Sequence, residues 1–411
     1  MARFENLPQD AKVDAPLWGQ LVGLPPGSPV QIRATMRDDV GQTWQSRALY
    51  EASSEGTLDL AAAQPLRAAW SGSDAYGLYW SMRLEDEPTS PFSACPGSAF
   101  QEGPQASLTA SVNGKEVAET RIKRHFLFRC TQGTWRDDIT ANLFLPVYPD
   151  TTQGVLVIGG SAGGFAWSNQ VASLIAASGR AALAVAYFDW RGEYGLPTSL
   201  TEIPLEVFTN ALDRLKAHPQ VLTDDLAVVG FSKGAEAALL LATERDDLRK
   251  AVAYAPSAYV WEAARLNPEE EAKSSWTWRG EPLPFARFDA DEDFYRTFDK
   301  TKLRAFHERA LEDEEVRRRA RIPVERSDAQ ILLLSGMEDG TWHAGSMSDT
   351  IVKKLEEVGR ASQVEHLSFE NVGHSFFVPG LPANQADGLP EANAQADRKA
   401  WGALRRHLCL S

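Results

Sequence analysis

"VVGFSKGAEAALLLA" occupies residues 228–242 and sets one hydroxyl, Ser232, between Gly230 and Gly234. The run leading into it, "LAVVGF" (226–231), is continuously apolar, as expected of a strand buried on both faces. The run after it is rich in Ala and Leu, which predicts a helix. G-x-S-x-G between a buried strand and a helix is the pattern of a nucleophile elbow. The turn is so tight that residues without a Cβ suit its flanks. It holds the serine at the carboxyl edge of a sheet, beside a helix N-terminus. There the Lys233 amide is placed to donate to a developing oxyanion. The plain alternative is a glycine-rich turn with an N-capping serine; the strand before and the helix after favour the elbow.

The neighbouring segments repeat the same grammar. "GVLVIGG" (154–160), "AALAVAYFD" (181–189) and "ILLLSG" (331–336) read as further buried strands. "NQVASLIAASG" (169–179) reads as a helix closed by Gly179. "PLEVFTNALDRLKAHP" (204–219) has helical spacing at Leu205, Phe208, Leu212 and Leu215. Strand alternating with helix predicts a parallel sheet with right-handed crossovers. "ERALEDEEVRRRARIP" (308–323) reads as one solvated helix of mixed charge.

An elbow serine needs a base, and the base an orienting acid, in the chain order serine, acid, histidine. Asp339, just past the strand in "ILLLSGMEDGTWHAGS", fits the acid, with Glu338 as its rival. Four histidines follow. His343 sits at the start of a predicted helix, His366 within a predicted strand and His407 in a terminal amphipathic helix suited to the surface. His374, in the loop "NVGHSFF", best fits the base. Neutral imidazole suits that work near physiological pH. The second oxyanion donor is expected from "GGSAGGF" (159–165), at Gly160 and Ser161, with a plain βα turn as the alternative. The phosphate-loop pattern G-x-x-x-x-G-K-[ST] is absent there.

Residues 1 to about 150 read differently. "PVQIRATMRDD" (29–39), "TWQSRALYEAS" (43–53) and "YGLYWSMRLED" (76–86) read as strands. "SLTASVNGKEVAETRI" (107–122) carries Asn113-Gly114, a hairpin signal. These predict an antiparallel sandwich, with Trp44 and Trp80 in its core rather than at a ligand. "LFLPVYPDTTQG" (143–154), with Pro146, Pro149 and Gly154, reads as the boundary between two domains.

The bulk composition bounds the partners. The chain has 411 residues, 24% of them charged, and a net charge of -14. Such acidity argues against nucleic acid, which needs clustered Lys and Arg. Cys95, Cys130 and Cys409 are scattered, which predicts neither disulfides nor a zinc site and fits a reducing cytoplasm. The N-terminal segment has no signal-peptide core, "HLCLS" is no peroxisomal address, and no run reaches a membrane span.

Together these segments resemble the acyl-CoA thioesterase and bile-acid-CoA:amino-acid N-acyltransferase family, over nearly the whole chain. The first half contributes "VGLPPGSPVQIRATMRDDVGQTWQSRALYEASSEGTLDL" and "GLYWSM". The second contributes "GSAGGF", "LAVAYF", "IPLEVF", "HPQV", "GFSKGAEAAL", "SSWTWRGEPLPF", "IPVERSDAQILLLSGMEDGTW", "VGHSFF" and "PEANAQADRKAW". The resemblance implies an α/β fold: an α/β-hydrolase domain over 151–411 and a smaller N-terminal antiparallel β-sandwich over 1–150. It implies a Ser232/Asp339/His374 triad acting on acyl-CoA thioesters, with coenzyme A as part of the substrate and no separate cofactor or metal. Serine at the elbow implies hydrolysis, where family members with cysteine pass the acyl group to an amino acid. Transfer to an amine or alcohol, a carboxylesterase or peptidase activity, and a catalytically silent binding module stand as alternatives. "GHSFF" departs from the family's more usual apolar continuation. The Lys233 side chain is expected in solvent rather than at CoA phosphates. Oligomeric state is not legible.

Overall fold

The computed structural model describes residues 1–38, 41–84, 103–148, 151–265, 269–288, 290–297, 299–376 and 378–410, without the side chains of 223 and 224. Cys95 and Pro149, used in the sequence reading, lie outside the described residues. Two compact units form. One comprises Met1–Phe128 and Phe376–Trp401, the other Arg129–Ser375 and Gly402–Ser411.

The second unit is built on an eight-stranded sheet. Its spatial order is Cys130–Arg136, Thr140–Pro146, Ala181–Ala186, Thr152–Ile158, Val221–Phe231, Leu248–Tyr254, Gln330–Gly336 and Val364–Phe369. The first two pairings are antiparallel and the rest parallel. One exchange of neighbours, Ala181–Ala186 before Thr152–Ile158, gives the strand order of an α/β-hydrolase. Helices Ala166–Ala176, Glu206–Lys216, Lys233–Glu244 and Ala344–Glu357 link and cover the strands. The apolar runs read as buried strands are buried: every residue of Ala181–Ala186 is in the interior. This is what a parallel sheet covered on both faces requires.

The division of the units differs from the boundary expected near residue 150. Cys130–Arg136 and Thr140–Pro146 pair antiparallel with each other, and the latter pairs with Ala181–Ala186. Their composition resembles that of the sandwich strands before them, because an antiparallel edge shows the same alternation in either setting.

The first unit holds a six-stranded sheet and a three-stranded sheet. The larger runs Asp10–Lys12, Lys115–His125, Gln105–Val112, Pro29–Arg37, Thr43–Glu51, Arg83–Leu84; the smaller runs Arg3–Glu5, Gln20–Val22, Thr57–Asp59. Leu21 and Leu58 of the smaller sheet share a core with Val30, Ile32, Tyr50 and Leu108 of the larger. Trp44 and Trp80 are buried in it. Asn113 and Gly114 both take positive φ, 51° and 77°, at the hairpin.

The strand read over 76–86 is corrected. Gly77–Trp80 is a short helix, followed by the two-residue strand Arg83–Leu84. The Asp74 carboxylate accepts from the Tyr76 amide at 2.8 Å and from the Trp80 indole at 3.0 Å. Those bonds fold the aromatic run back on itself. The single helix read over 308–323 is also corrected. Leu303–Ala310 and Glu314–Ala320 are separate helices. The first closes at Leu311, and Asp313 caps the second, its side chain accepting from Glu315 N at 2.8 Å.

The later segment of the first unit was not legible. Ala383 and Ala394 join its core. The Trp401 indole donates to Asp14 Oδ2 at 2.9 Å. The buried Arg124 guanidinium lies 3.8 Å from the Tyr79 ring centroid and donates to the carbonyls of Gly380, Val13 and Ala15.

Candidate active site

The elbow forms as the residue pattern requires. The strand Val221–Phe231 ends, Ser232 takes φ 55° and ψ -120°, and the helix starts at Lys233. A Cβ on Gly230 would lie 2.1 Å from the Gly234 carbonyl oxygen, and one on Gly234 would lie 2.3 Å from that of Ile158. Both glycines are therefore demanded by backbone contact. The strained serine is held from both sides: its N–H donates to Tyr254 O at 2.9 Å, and its carbonyl accepts from Ala235 N at 2.8 Å. Such a conformation persists only where surrounding bonds over-determine it.

His374 reaches Ser232 from a loop that follows the last strand. Its Nε2 lies 2.9 Å from Ser232 Oγ, and its Nδ1 2.8 Å from Asp339 Oδ2. Two backbone bonds bring these loops together: Met337 N donates to Phe369 O at 3.0 Å and Glu338 N to Val372 O at 2.8 Å. Gly336 lets the loops close, since a Cβ there would lie 2.2 Å from Gly373 O. Asp339 is fully buried. Its other oxygen accepts from Thr341 N at 2.8 Å and Trp342 N at 3.1 Å. Glu338, its rival, is exposed. With Asp339 accepting at Nδ1, the neutral imidazole carries its proton there and turns a lone pair to Ser232.

The other histidines fall elsewhere. His343 is the residue before the helix Ala344–Glu357, 3.9 Å from Glu308. His407 bonds the Gln330 carbonyl at 3.1 Å and is half-buried rather than on the surface. His366 has its own serine and acid: Ser335 Oγ at 2.7 Å and Asp349 Oδ1 at 3.3 Å. Ser335 is wholly buried inside its strand, so this second constellation has no reach to a substrate.

Gly160 lies against the elbow: a Cβ there would sit 3.2 Å from Ser232 Cβ. Ser161 follows on the exposed side of the same turn. Two family models match in succession. One described as "Acyl-CoA thioester hydrolase/BAAT N-terminal region" matches residues 14–135, and one described as "BAAT / Acyl-CoA thioester hydrolase C terminal" matches residues 203–404.

The chain belongs to the acyl-CoA thioester hydrolase/BAAT family. Curated relatives include acyl-coenzyme A thioesterase 1 of Mus musculus, 28% identical over 95% of this chain and 92% of that protein. Another is the human protein named acyl-coenzyme A thioesterase 2, mitochondrial, 27% identical over 95% of this chain and 80% of that one. Among solved structures, a puromycin-hydrolysing peptidase of Mycobacterium tuberculosis matches with a TM-score of 0.44 and 15% identity. It covers 90% of this chain and 53% of that one, a likeness too slight to bear on chemistry.

Several residues around the site of this family member escaped the sequence reading. Trp342 packs edge-on to His374, ring centroids 5.7 Å apart, and its indole donates to Ala255 O at 3.1 Å. His307 stacks edge-on against Trp261 at 4.5 Å and Trp342 at 5.7 Å. Burial pushes its imidazole down to about 4, so it is neutral near pH 7. The Lys233 side chain, expected in solvent, is buried and bonded to Glu236 at 3.1 Å. A legible signal existed: Lys233 and Glu236 are the only charges in 228–242, three residues apart among small and apolar residues.

Proposed function

We propose that this protein hydrolyses acyl-CoA thioesters to free acid and CoA through an acyl-enzyme at Ser232. The observation that carries the reading is the hydrogen-bond chain from Ser232 through His374 to the buried Asp339, set on a strained elbow in a member of this family. His374 takes the Ser232 proton as the oxygen attacks the thioester carbonyl. Asp339 holds the imidazole tautomer and stabilises its cation. The amides of Lys233 and of Gly160 or Ser161 receive the oxyanion. CoA departs as the thiol, protonated by His374. Water then attacks the acyl-enzyme as His374 takes its proton, and His374 returns that proton to Ser232 Oγ as the acid is released. Coenzyme A thus takes part as leaving group. Among the described residues no metal-binding cluster occurs and no helix is long and apolar enough to cross a membrane. A cytoplasmic location completes the reading, supported by the scattered cysteines of the chain.

Serine at the elbow supports water as acceptor over an amino acid. The test is mass spectrometry of products from a panel of acyl-CoAs, with amino acids and simple amines present, for wild type and Ser232→Ala. Free acid is expected from wild type, with a loss of about 10⁴-fold or more in the variant. Amide or ester product moves the assignment to acyl transfer. No CoA release from any donor sinks both readings and leaves an esterase, peptidase or binding role.

A further inference from the structure

The elbow helix carries a buried ion pair that the mechanism above does not use. Glu236 is wholly buried one turn into the helix. Its Oε1 accepts from the Trp276 indole at 2.7 Å and from Trp261 N at 3.1 Å. Its Oε2 lies 3.1 Å from Lys233 Nζ, which also donates to Trp261 O at 3.3 Å. The pair therefore grips both backbone groups of Trp261, whose ring faces His307; His307 faces Trp342, and Trp342 faces His374.

A buried ion pair is weak evidence for stability, because desolvation offsets most of its attraction. Its position suggests another use. The first turn of this helix presents its amides, with Lys233 N foremost, to the place where negative charge develops. An unbalanced carboxylate in that turn opposes the charge. We propose that Lys233 and Glu236 act as a positioning pair: Glu236 anchors Trp261 and Trp276, and the Lys233 ammonium cancels a carboxylate that would otherwise oppose the oxyanion.

Burial pushes the Lys233 ammonium down and the Glu236 carboxyl up from their usual ranges, and each partner counters the shift in the other. The other titratable groups around the pair leave that balance in place. Tyr187 is held neutral by burial, its hydroxyl donating to Gly159 O at 2.7 Å. His307 is neutral near pH 7. Glu262 is paired with Arg265 at 3.1 Å. The imidazole of His374 is engaged by Ser232 and Asp339.

The inference rests on the serine-hydrolase reading, so its test uses a probe that needs no thioester. The rate at which a fluorophosphonate labels Ser232 is measured across pH, beside thermal unfolding. Lys233→Met keeps the amide and removes the ammonium. It is expected to label about tenfold or more slower. The loss should grow as pH rises and the unpaired Glu236 ionises. Glu236→Gln keeps an acceptor for Trp261 and Trp276, and should label at least as fast as wild type. The double variant Lys233→Met/Glu236→Gln should recover the rate and lose the added pH dependence. In thioester turnover, Lys233→Met should lower kcat and leave KM unchanged. A packing role alone moves both single variants the same way, in step with their unfolding midpoints. That outcome overturns the proposal, as does a folded double variant that stays slow. If wild type labels no better than Ser232→Ala, the hydrolase reading itself falls, and the pair's role with it.

Discussion

Asp339 and Glu338 are adjacent carboxylates, yet one is fully buried against His374 and the other exposed. The sequence favours Asp339 from its place after a strand and from the triad that the family resemblance implies. The geometry separates them by the two amides, Thr341 N and Trp342 N, that Asp339 alone receives. Asp339→Asn puts an amide where His374 needs an acceptor and favours the wrong imidazole tautomer. A fall of roughly 10⁴-fold in kcat is expected in steady-state thioester hydrolysis, with the fold intact by circular dichroism. Ser232 was legible because glycines, strand and helix all pointed to it. His307 and Trp342 were not. An aromatic or a histidine in a loop carries no mark of which ring it will meet. His366 shows the converse, a serine and an acid within reach but no exposed hydroxyl.

At the scale of the element, the elbow is a close approach of three pieces of backbone. Gly234→Ala places a methyl group 2.3 Å from Ile158 O and 2.5 Å from Gly159 O, neither the end of a flexible side chain. The helix must move off the strand Thr152–Ile158. A loss of about 3 kcal/mol is expected from overpacking, read in urea unfolding, together with weaker fluorophosphonate labelling of Ser232. The buried strands were legible because continuous apolar runs have few alternatives in a parallel sheet. Residues 76–86 were not, because the aromatic run suits a strand or a buried turn equally. Two bonds from Asp74 decide between them. In 308–323 the mixed charges masked Asp313, whose side chain serves better as a cap than inside a helix.

For the whole molecule, acid is the informative stress. His307 is 8% exposed, and its imidazole, usually near 6.5, sits at about 4 in the folded chain. The unfolded chain binds that proton first as pH falls. The contribution of His307 to stability is therefore intact above about pH 6.5, declines from there to about 4, and below that is gone, at a cost of about 3 kcal/mol. His307→Phe removes this contribution. Urea unfolding of wild type and variant at about pH 7 and about pH 4 should show the variant losing less on acidification. A variant whose acid loss equals that of wild type would show that other groups set this limb.

The division into units has a consequence for how the protein is made. The first unit needs residues 376–401: Arg124 donates to Gly380 O, Asp14 accepts from Trp401, and Ala383 and Ala394 fill its core. Residues 376–401 do not yet exist when residue 128 leaves the ribosome. At about 5–20 residues per second, translation from there to residue 401 takes roughly 15–55 s. Through that interval the first part of the chain waits with Arg124 and Asp14 short of partners, although it was synthesised first. Its completion is set by the clock of elongation, and the second unit's nucleophile, acid and base have all been translated before the first unit can close.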